Sequence, residues 1–187
     1  MVSSTGKPRP TNWPRTLPYL TAPVLSPALS SRRAPSAAIA ALNLHGAACA
    51  CAASPSPLVR IRPITAPSHP ACGQSGLFAA RTLPARSWVV DYLGVYHTQD
   101  ESDPASDYDI VLDRDSGVAV DAATCGNEAR FVNDYRGVAD RANVEFRDRR
   151  ADGRQARIAI YVGARDVRKG QELLVSYGKG FWDARSA

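Results

Sequence analysis

Three local patterns in this sequence carry residue types able to do chemistry. Gly73-Gln74-Ser75-Gly76-Leu77-Phe78-Ala79 holds two glycines three residues apart, and without a Cβ such positions let backbone N–H and C=O groups approach a ligand. An ordinary hairpin loop would use the same residues. In Gly126-Asn127-Glu128-Ala129-Arg130-Phe131-Val132-Asn133, the polar Arg130 and Asn133 bracket Phe131 and Val132. An Asn amide offers two donors and a carbonyl, suited to a ligand's ammonium and carboxylate or to capping a backbone turn. Tyr108 and Tyr177 each combine an apolar ring with a hydroxyl that donates and accepts, as amphipathic core tyrosines also do. Other chemistries find no support. Cys49, Cys51, Cys72 and Cys125 lack zinc-ligand spacing, and His45, His69 and His97 are scattered outside any nucleophile and base arrangement. No disulfide framework is expected, and a reducing compartment follows.

The elements that must hold these groups read as short strands. Leu58-Val59-Arg60-Ile61-Arg62 alternates apolar and polar residues before Pro63 ends it, and Arg157 to Val162 places Ile158, Ile160 and Val162 on one face. Further strands are expected at Gly76 to Ala80, Trp88 to Tyr96, Tyr108 to Leu112, Val118 to Asp121 and Glu172 to Tyr177. No long amphipathic helix pattern appears, so a mostly β domain is expected rather than a βαβ sheet.

The 187 residues suffice for one domain with an appendage, and 44% hydrophobic content allows a core. Residues 1 to 90 contain no Asp or Glu and nine Lys or Arg, whereas residues 91 to 187 carry 14 basic against 18 acidic groups. The net +5 therefore belongs to the N-terminal half and does not indicate a nucleic-acid groove on the folded part. Twelve of the 14 prolines lie at or before Pro70, where they remove donors and restrict their neighbours. Residues 1–57 are accordingly expected to be a disordered basic tail, and residues 58–183 the folded domain. The Ala-rich stretch Ser36 to Ala53 is too weakly hydrophobic to span a membrane. An acid-free Arg/Ser/Ala-rich start also fits an organelle transit peptide; otherwise a nuclear or cytoplasmic location is expected.

Taken in order, the glycine turn, Asp91-Tyr92-Leu93-Gly94, Asp107-Tyr108-Asp109-Ile110, Val120-Asp121-Ala122, the Gly126 to Asn133 run, Ala142-Asn143-Val144-Glu145-Phe146 and Gly170-Gln171-Glu172-Leu173-Leu174-Val175-Ser176-Tyr177-Gly178 form a succession. That succession resembles the SET-domain protein-lysine methyltransferases over about Leu58 to Trp182. In appearance it is most similar to the short SET proteins of fungi. The resemblance implies a mostly β fold with short helices, made of small sheets around a knot-like core. It implies S-adenosylmethionine as cofactor, contacted by Gln74, Ser75, Gly76, Leu77, Arg130, Phe131, Asn133, Asp134 and Trp182. It also implies catalytic roles for Tyr177, which would orient the reacting groups, and Tyr108, which would wall the channel. The implied substrate is a histone tail or another basic protein; the acidic stretch Asp100 to Asp109 reads as a solvated loop or, alternatively, as an attractor for such a basic peptide. A monomer is expected, with no direct nucleic-acid partner, no membrane and no structural metal.

Three features depart from the family pattern. The turn has one residue more than the usual Gly-x-Gly, Asp134 stands where the family most often has His, and Tyr135 to Asp140 replaces a short Ser-Cys-x-Pro link. The last two, together with the lack of a cysteine-rich post-SET segment, motivate an alternative, a SET-fold binding or scaffolding module with little or no turnover. In place of a zinc-binding C-terminal segment, Phe181 and Trp182 are expected either to cover the site or to plug the last strand.

Overall fold

Runs of β-branched and aromatic residues cut short by Gly and Pro become short strands in the computed structural model, which describes residues 8–31, 36–44, 55–151, 155–178 and 181–182. Along the chain these are β1 (Val24–Leu25), β2 (Val59–Pro63), β3 (Ser75–Ala79), β4 (Trp88–Asp91), β5 (Val95–Thr98), β6 (Asp109–Asp113), β7 (Val118–Asp121), β8 (Asn133–Asp134), β9 (Val144–Ala151), β10 (Gln155–Val162) and β11 (Leu174–Val175). Two helices, α1 (Pro27–Ser30) and α2 (Ala37–Ala41), are a turn or so long. The strands form four small sheets in the orders β1-β5-β7-β6, β4-β10-β9, β8-β11 and β2-β3.

The longest pairing is the β9–β10 hairpin, in register from Val144↔Val162 to Ala151↔Gln155. β10 is flanked on its other edge by β4, so both its edges are paired, and its residues are buried on both faces. Ile158, Ile160 and Val162 are at most 2% exposed, as their alternation requires. Burying one such side chain contributes about 1.5–3 kcal/mol. The expected strand Trp88 to Tyr96 is divided: it ends at Asp91 and resumes at Val95 in another sheet. Gly94 makes the break possible, since a Cβ there would collide with the backbone of Asp121. β9 was not expected from the pattern, because Glu145, Arg147, Asp148, Arg149 and Arg150 mask the alternation of Val144 and Phe146.

Residues 1–7, 32–35 and 45–54 of the expected tail lie outside the described residues. In its described parts, 8–31 and 36–44, the chain packs on the domain. Trp13, Leu29, Leu42 and Leu44 are 4–7% exposed and belong to the main apolar cluster. β1 adds to β5 in parallel, pairing Val24 with Val95 and Leu25 with Tyr96. The physical reason is that a few well-spaced large apolar side chains can dock a Pro-rich segment that has no internal ladder, even where average composition argues against order.

One pairing brings the Gly126 to Asn133 run beside the C-terminal motif. β8 and β11 run parallel, with Leu174 opposite Asn133 and Val175 opposite Asp134. Asn143 fastens this pair: its Nδ2 donates to the Glu172 carbonyl at 2.8 Å, and its Oδ1 accepts from Leu174 N–H at 2.8 Å. Tyr177 thus follows directly from a strand laid beside Asn133 and Asp134.

Candidate active site

β11, β8 and the start of β6 converge on two cavities. One, of about 380 Å³, is bounded by Gln74, Ser75, Phe131, Asn133, Asp134 and Trp182, together with His69 and Arg136. The other, of about 310 Å³, is bounded by Tyr92, Ile110, Val111, Arg114, Val132 and Phe146. Asp107, Tyr108, Arg130, Tyr177 and Phe181 line both. The two cavities therefore share an aromatic and cationic wall, the arrangement a reaction between two separately bound molecules needs.

Within that wall the Arg130 guanidinium lies 4.2 Å from the Tyr108 ring centroid and 5.2 Å from that of Phe131. Its Nε donates to the Ala122 carbonyl at 2.9 Å, which fixes the side chain. The Tyr177 hydroxyl donates to the Val132 carbonyl at 2.8 Å. Burial raises the Tyr177 pKa, and the nearby Asp134 carboxylate raises it further, so the phenol stays protonated. A protonated phenol can both donate and accept hydrogen bonds.

The residues expected to contact a cofactor divide into those that line the larger cavity and those beneath it. Gln74 and Ser75 line it. Gly76 and Leu77, expected as ligand contacts, do not: both are buried, and Leu77 is a fully covered core residue whose carbonyl accepts from Leu173 N–H at 2.7 Å. The glycine at 76 serves the neighbouring side chains instead. A Cβ there would stand 2.5 Å from Glu172 Oε1 and 3.1 Å from Asn133 Nδ2. Those two atoms are themselves bonded, Asn133 Nδ2 donating to Glu172 Oε1 at 2.8 Å, with a longer 3.4 Å contact to the Ser75 carbonyl.

Glu172 extends the chain of contacts to His69, Nε2 to Oε2 at 3.1 Å. His69 Nδ1 accepts from Ala71 N–H at 3.0 Å, which assigns the ring proton to Nε2. His69 and Glu172 were not among the expected site residues. They are 103 positions apart, and no local spacing signals the pair.

Asp134, where the family has His, is a hub for the wall's C-terminal side. It accepts from Tyr177 N–H at 2.7 Å, from Arg136 N–H at 2.8 Å, from Arg136 Nη1 at 2.9 Å and, more weakly, from Trp182 Nε1 at 3.4 Å. Phe181 bridges Tyr177 and Trp182 edge-on, with centroid distances of 4.7 and 5.3 Å. The aromatic pair thus lines the larger cavity. Burial alone would raise the Asp134 pKa, but the bonds from Tyr177, Arg136 and Trp182 outweigh it and hold the carboxyl below its ordinary value of 3.8. A depressed carboxylate pKa stabilises the closed arrangement above that ordinary value, and the contribution is lost as pH falls through the lower folded one. The Trp182 indole N–H resonance is therefore expected to hold its position down to about pH 4 and to shift only in more acidic solution. A shift centred between pH 5 and 7 would assign the contact to another group.

Asp91, which the motif places next to Tyr92, lines neither cavity. It is buried against Arg149 at 2.7 Å and Arg157 at 2.8 Å, which makes it a structural carboxylate. Among the described residues no group of three or more His, Cys, Asp or Glu side chains is placed to hold a metal ion.

The SET domain family model matches residues 74–178, more than half of the chain. Among solved structures, the Chaetomium thermophilum polycomb repressive complex 2 is similar at 27% identity and a TM-score of 0.52, over 66% of this chain and 15% of that one. The same complex in an autoinhibited conformation bound to S-adenosylmethionine matches at 26% identity and 0.52, over 67% of this chain and 16% of that one. KRYPTONITE in complex with mCHH DNA, H3(1-15) peptide and SAH shares the fold, at 22% identity and 0.50, over 65% of this chain and 24% of that one. The chain thus corresponds to less than a quarter of the length of these proteins. The matched span runs from the Gln74 turn through Tyr108, Arg130 and Tyr177 to Gly178, with His69, Phe181 and Trp182 outside it, and by this match the chain belongs to the SET-domain family.

Proposed function

We propose that this chain is an S-adenosylmethionine-dependent protein-lysine methyltransferase acting on histones or another basic protein. The observation that carries the reading is the pair of cavities meeting at Tyr108, Arg130, Tyr177 and Phe181. The larger cavity suits the cofactor chemically. Gln74, Ser75 and Asn133 offer polar groups for an amino-acid end, and Phe131 and Trp182 offer aromatic faces for a base. When bound, S-adenosylmethionine would supply a methyl group activated on a sulfonium.

The smaller cavity would admit the lysine. Asp107 and Asp109 lie on its boundary and favour a basic peptide, while Tyr92, Phe146 and Val132 surround the aliphatic stem. A free lysine titrates near ~10.4 and must lose a proton before it can attack. The fixed Arg130 cation in the wall disfavours a second cation beside it and so eases that loss. Because the Tyr177 hydroxyl proton points to the Val132 carbonyl, the oxygen's lone pairs are left to accept from the amine and aim it.

Transfer of a labelled methyl group to mixed histones, ribosomal proteins and lysate tests the reading. A purified protein that binds cofactor yet labels nothing would favour the scaffolding alternative. For the cofactor site, Asn133→Ala is expected to weaken binding of S-adenosylhomocysteine by on the order of 1–3 kcal/mol, through lost polar pairing and an unsatisfied Glu172. Calorimetry giving equal affinity for wild type and variant would remove Asn133 from the site.

A further inference from the structure

The turn at the centre of the shared wall cannot hold its own shape. Glu128–Phe131 is a single 3-10 turn with no side-chain cap of its own from Asn127. The bonds at its two ends, Arg130 N–H to Asn127 O and Val132 N–H to Ala129 O, are 3.2 Å each. A helical segment this short is unstable unless tertiary contacts impose it. On its inner side Asn127 donates to the Asp91 carbonyl and Arg130 to that of Ala122. Its outer side rests on the N-terminal segment.

There, Trp13 is 7% exposed and meets Phe131 edge-on at 5.6 Å and Tyr19 at 5.0 Å. Its indole N–H donates to the Leu17 carbonyl at 2.7 Å, which sets the ring's orientation. Tyr19 donates from its hydroxyl to Glu128 Oε2 at 3.0 Å. The backbone beside it brackets Gly126, with Leu20 N–H to Gly126 O at 2.7 Å and Gly126 N–H to Pro18 O at 3.2 Å. Glu128 is buried at 3% exposure, so this carboxylate is a fixed anchor. The same segment then adds β1 to β5 and reaches the turn before Tyr108, where Ser26 Oγ donates to Glu101 at 2.6 Å.

We propose that the N-terminal segment is a built-in brace for the cofactor-binding turn, with Trp13 and Tyr19 as positioning residues that act through Phe131 and Glu128. Neither lines either of the two cavities of the site, whereas Phe131 lines the larger one with its ring held against Trp13. Loosening the brace therefore displaces Phe131 and Arg130 while leaving the ligand-facing groups chemically intact. The effect on affinity rests on the cofactor reading above; the effect on the turn does not.

The test uses the full chain with Trp13→Ala, Trp13→Phe and Tyr19→Phe, read by hydrogen exchange and by calorimetric titration with S-adenosylhomocysteine. Trp13→Ala is expected to speed exchange at the Arg130 and Val132 amides by about tenfold while the β9–β10 hairpin amides keep their rates. It is expected to weaken affinity by about the same factor. Trp13→Phe restores most of both, and Tyr19→Phe, which keeps the ring, gives a smaller change in the same direction. Turn amides that exchange at wild-type rates in Trp13→Ala and Tyr19→Phe would overturn the brace. So would exchange that rises equally in the turn and the hairpin, which reports only global stability. If the wild type itself binds no S-adenosylhomocysteine, the cofactor reading fails while local exchange still decides the brace.

Discussion

Tyr177→Phe is expected to slow methyl transfer by about 10²-fold while leaving cofactor affinity unchanged. The ring remains because its position does not depend on the hydroxyl. Its backbone N–H is held by Asp134 at 2.7 Å, and its edge packs on Phe181 at 4.7 Å. What disappears is the oxygen, whose proton is engaged by the Val132 carbonyl and whose lone pairs face the channel in the proposed reaction. An orienting contact of this kind acts mainly on alignment in the transition state, so its loss appears in rate rather than in ground-state binding. Burial and the Asp134 carboxylate keep the phenol protonated, which separates this role from general-base catalysis. The wild-type rate is accordingly expected to show no ionisation belonging to Tyr177 at neutral pH. Tyr108→Phe is expected to be milder and to alter the number of methyl groups added, since its ring is fixed under Arg130 and its hydroxyl governs the room around the amine. Single-turnover transfer and calorimetry on both variants check these outcomes, and an undiminished rate in Tyr177→Phe would refute the orienting role.

How much of this was legible in the sequence depended on whether the signal was local. Ile158, Ile160 and Val162 alternate within one strand, and the structure buries all three. The Gly126 to Asn133 run carries its specificity in adjacent residues, and it supplies Arg130, Phe131 and Asn133 to the larger cavity. Contacts between distant residues of ordinary type left no such mark. His69 and Glu172 meet across 103 positions, and the reason for Gly76 becomes visible only once Glu172 and Asn133 are in place beside it. Asp134 read as a departure from the His most often found there in the family; in the fold, Arg136 neutralises it and the carboxylate organises Tyr177 and Trp182. The Pro-rich N-terminal part was the hardest to read. Average composition conceals Trp13 and Leu29, which contribute to order through their position rather than their number.

Asp91→Ala is expected to be the most destabilising change at any motif residue discussed here, at about 3–5 kcal/mol. The carboxylate is 4% exposed and lies between two guanidinium groups. Arg149 Nη1 reaches both oxygens at 2.7 and 2.8 Å, Arg157 Nη1 reaches Oδ2 at 2.8 Å, and the Trp88 indole donates to Oδ1 at 2.9 Å. Arg157 is itself 1% exposed, so removing its carboxylate partner leaves a buried cation with Gln155 as its neutral acceptor. The backbone at this point carries a second load, since the Asp91 carbonyl accepts from Asn127, the residue that opens the Glu128–Phe131 turn. A loss of this size in a chain of this length lowers the melting temperature by on the order of 10 °C. Pairing Asp91→Leu with Arg157→Met should recover much of the loss, because an apolar pair of similar volume avoids the desolvation of both charges. Below its transition the Asp91→Ala protein is expected to keep most of its methyl-transfer rate, since Asp91 lines neither cavity. Thermal melting beside single-turnover transfer separates the two possibilities. An unchanged melting temperature with a collapsed rate would place Asp91 in the chemistry, whereas the structure requires the reverse.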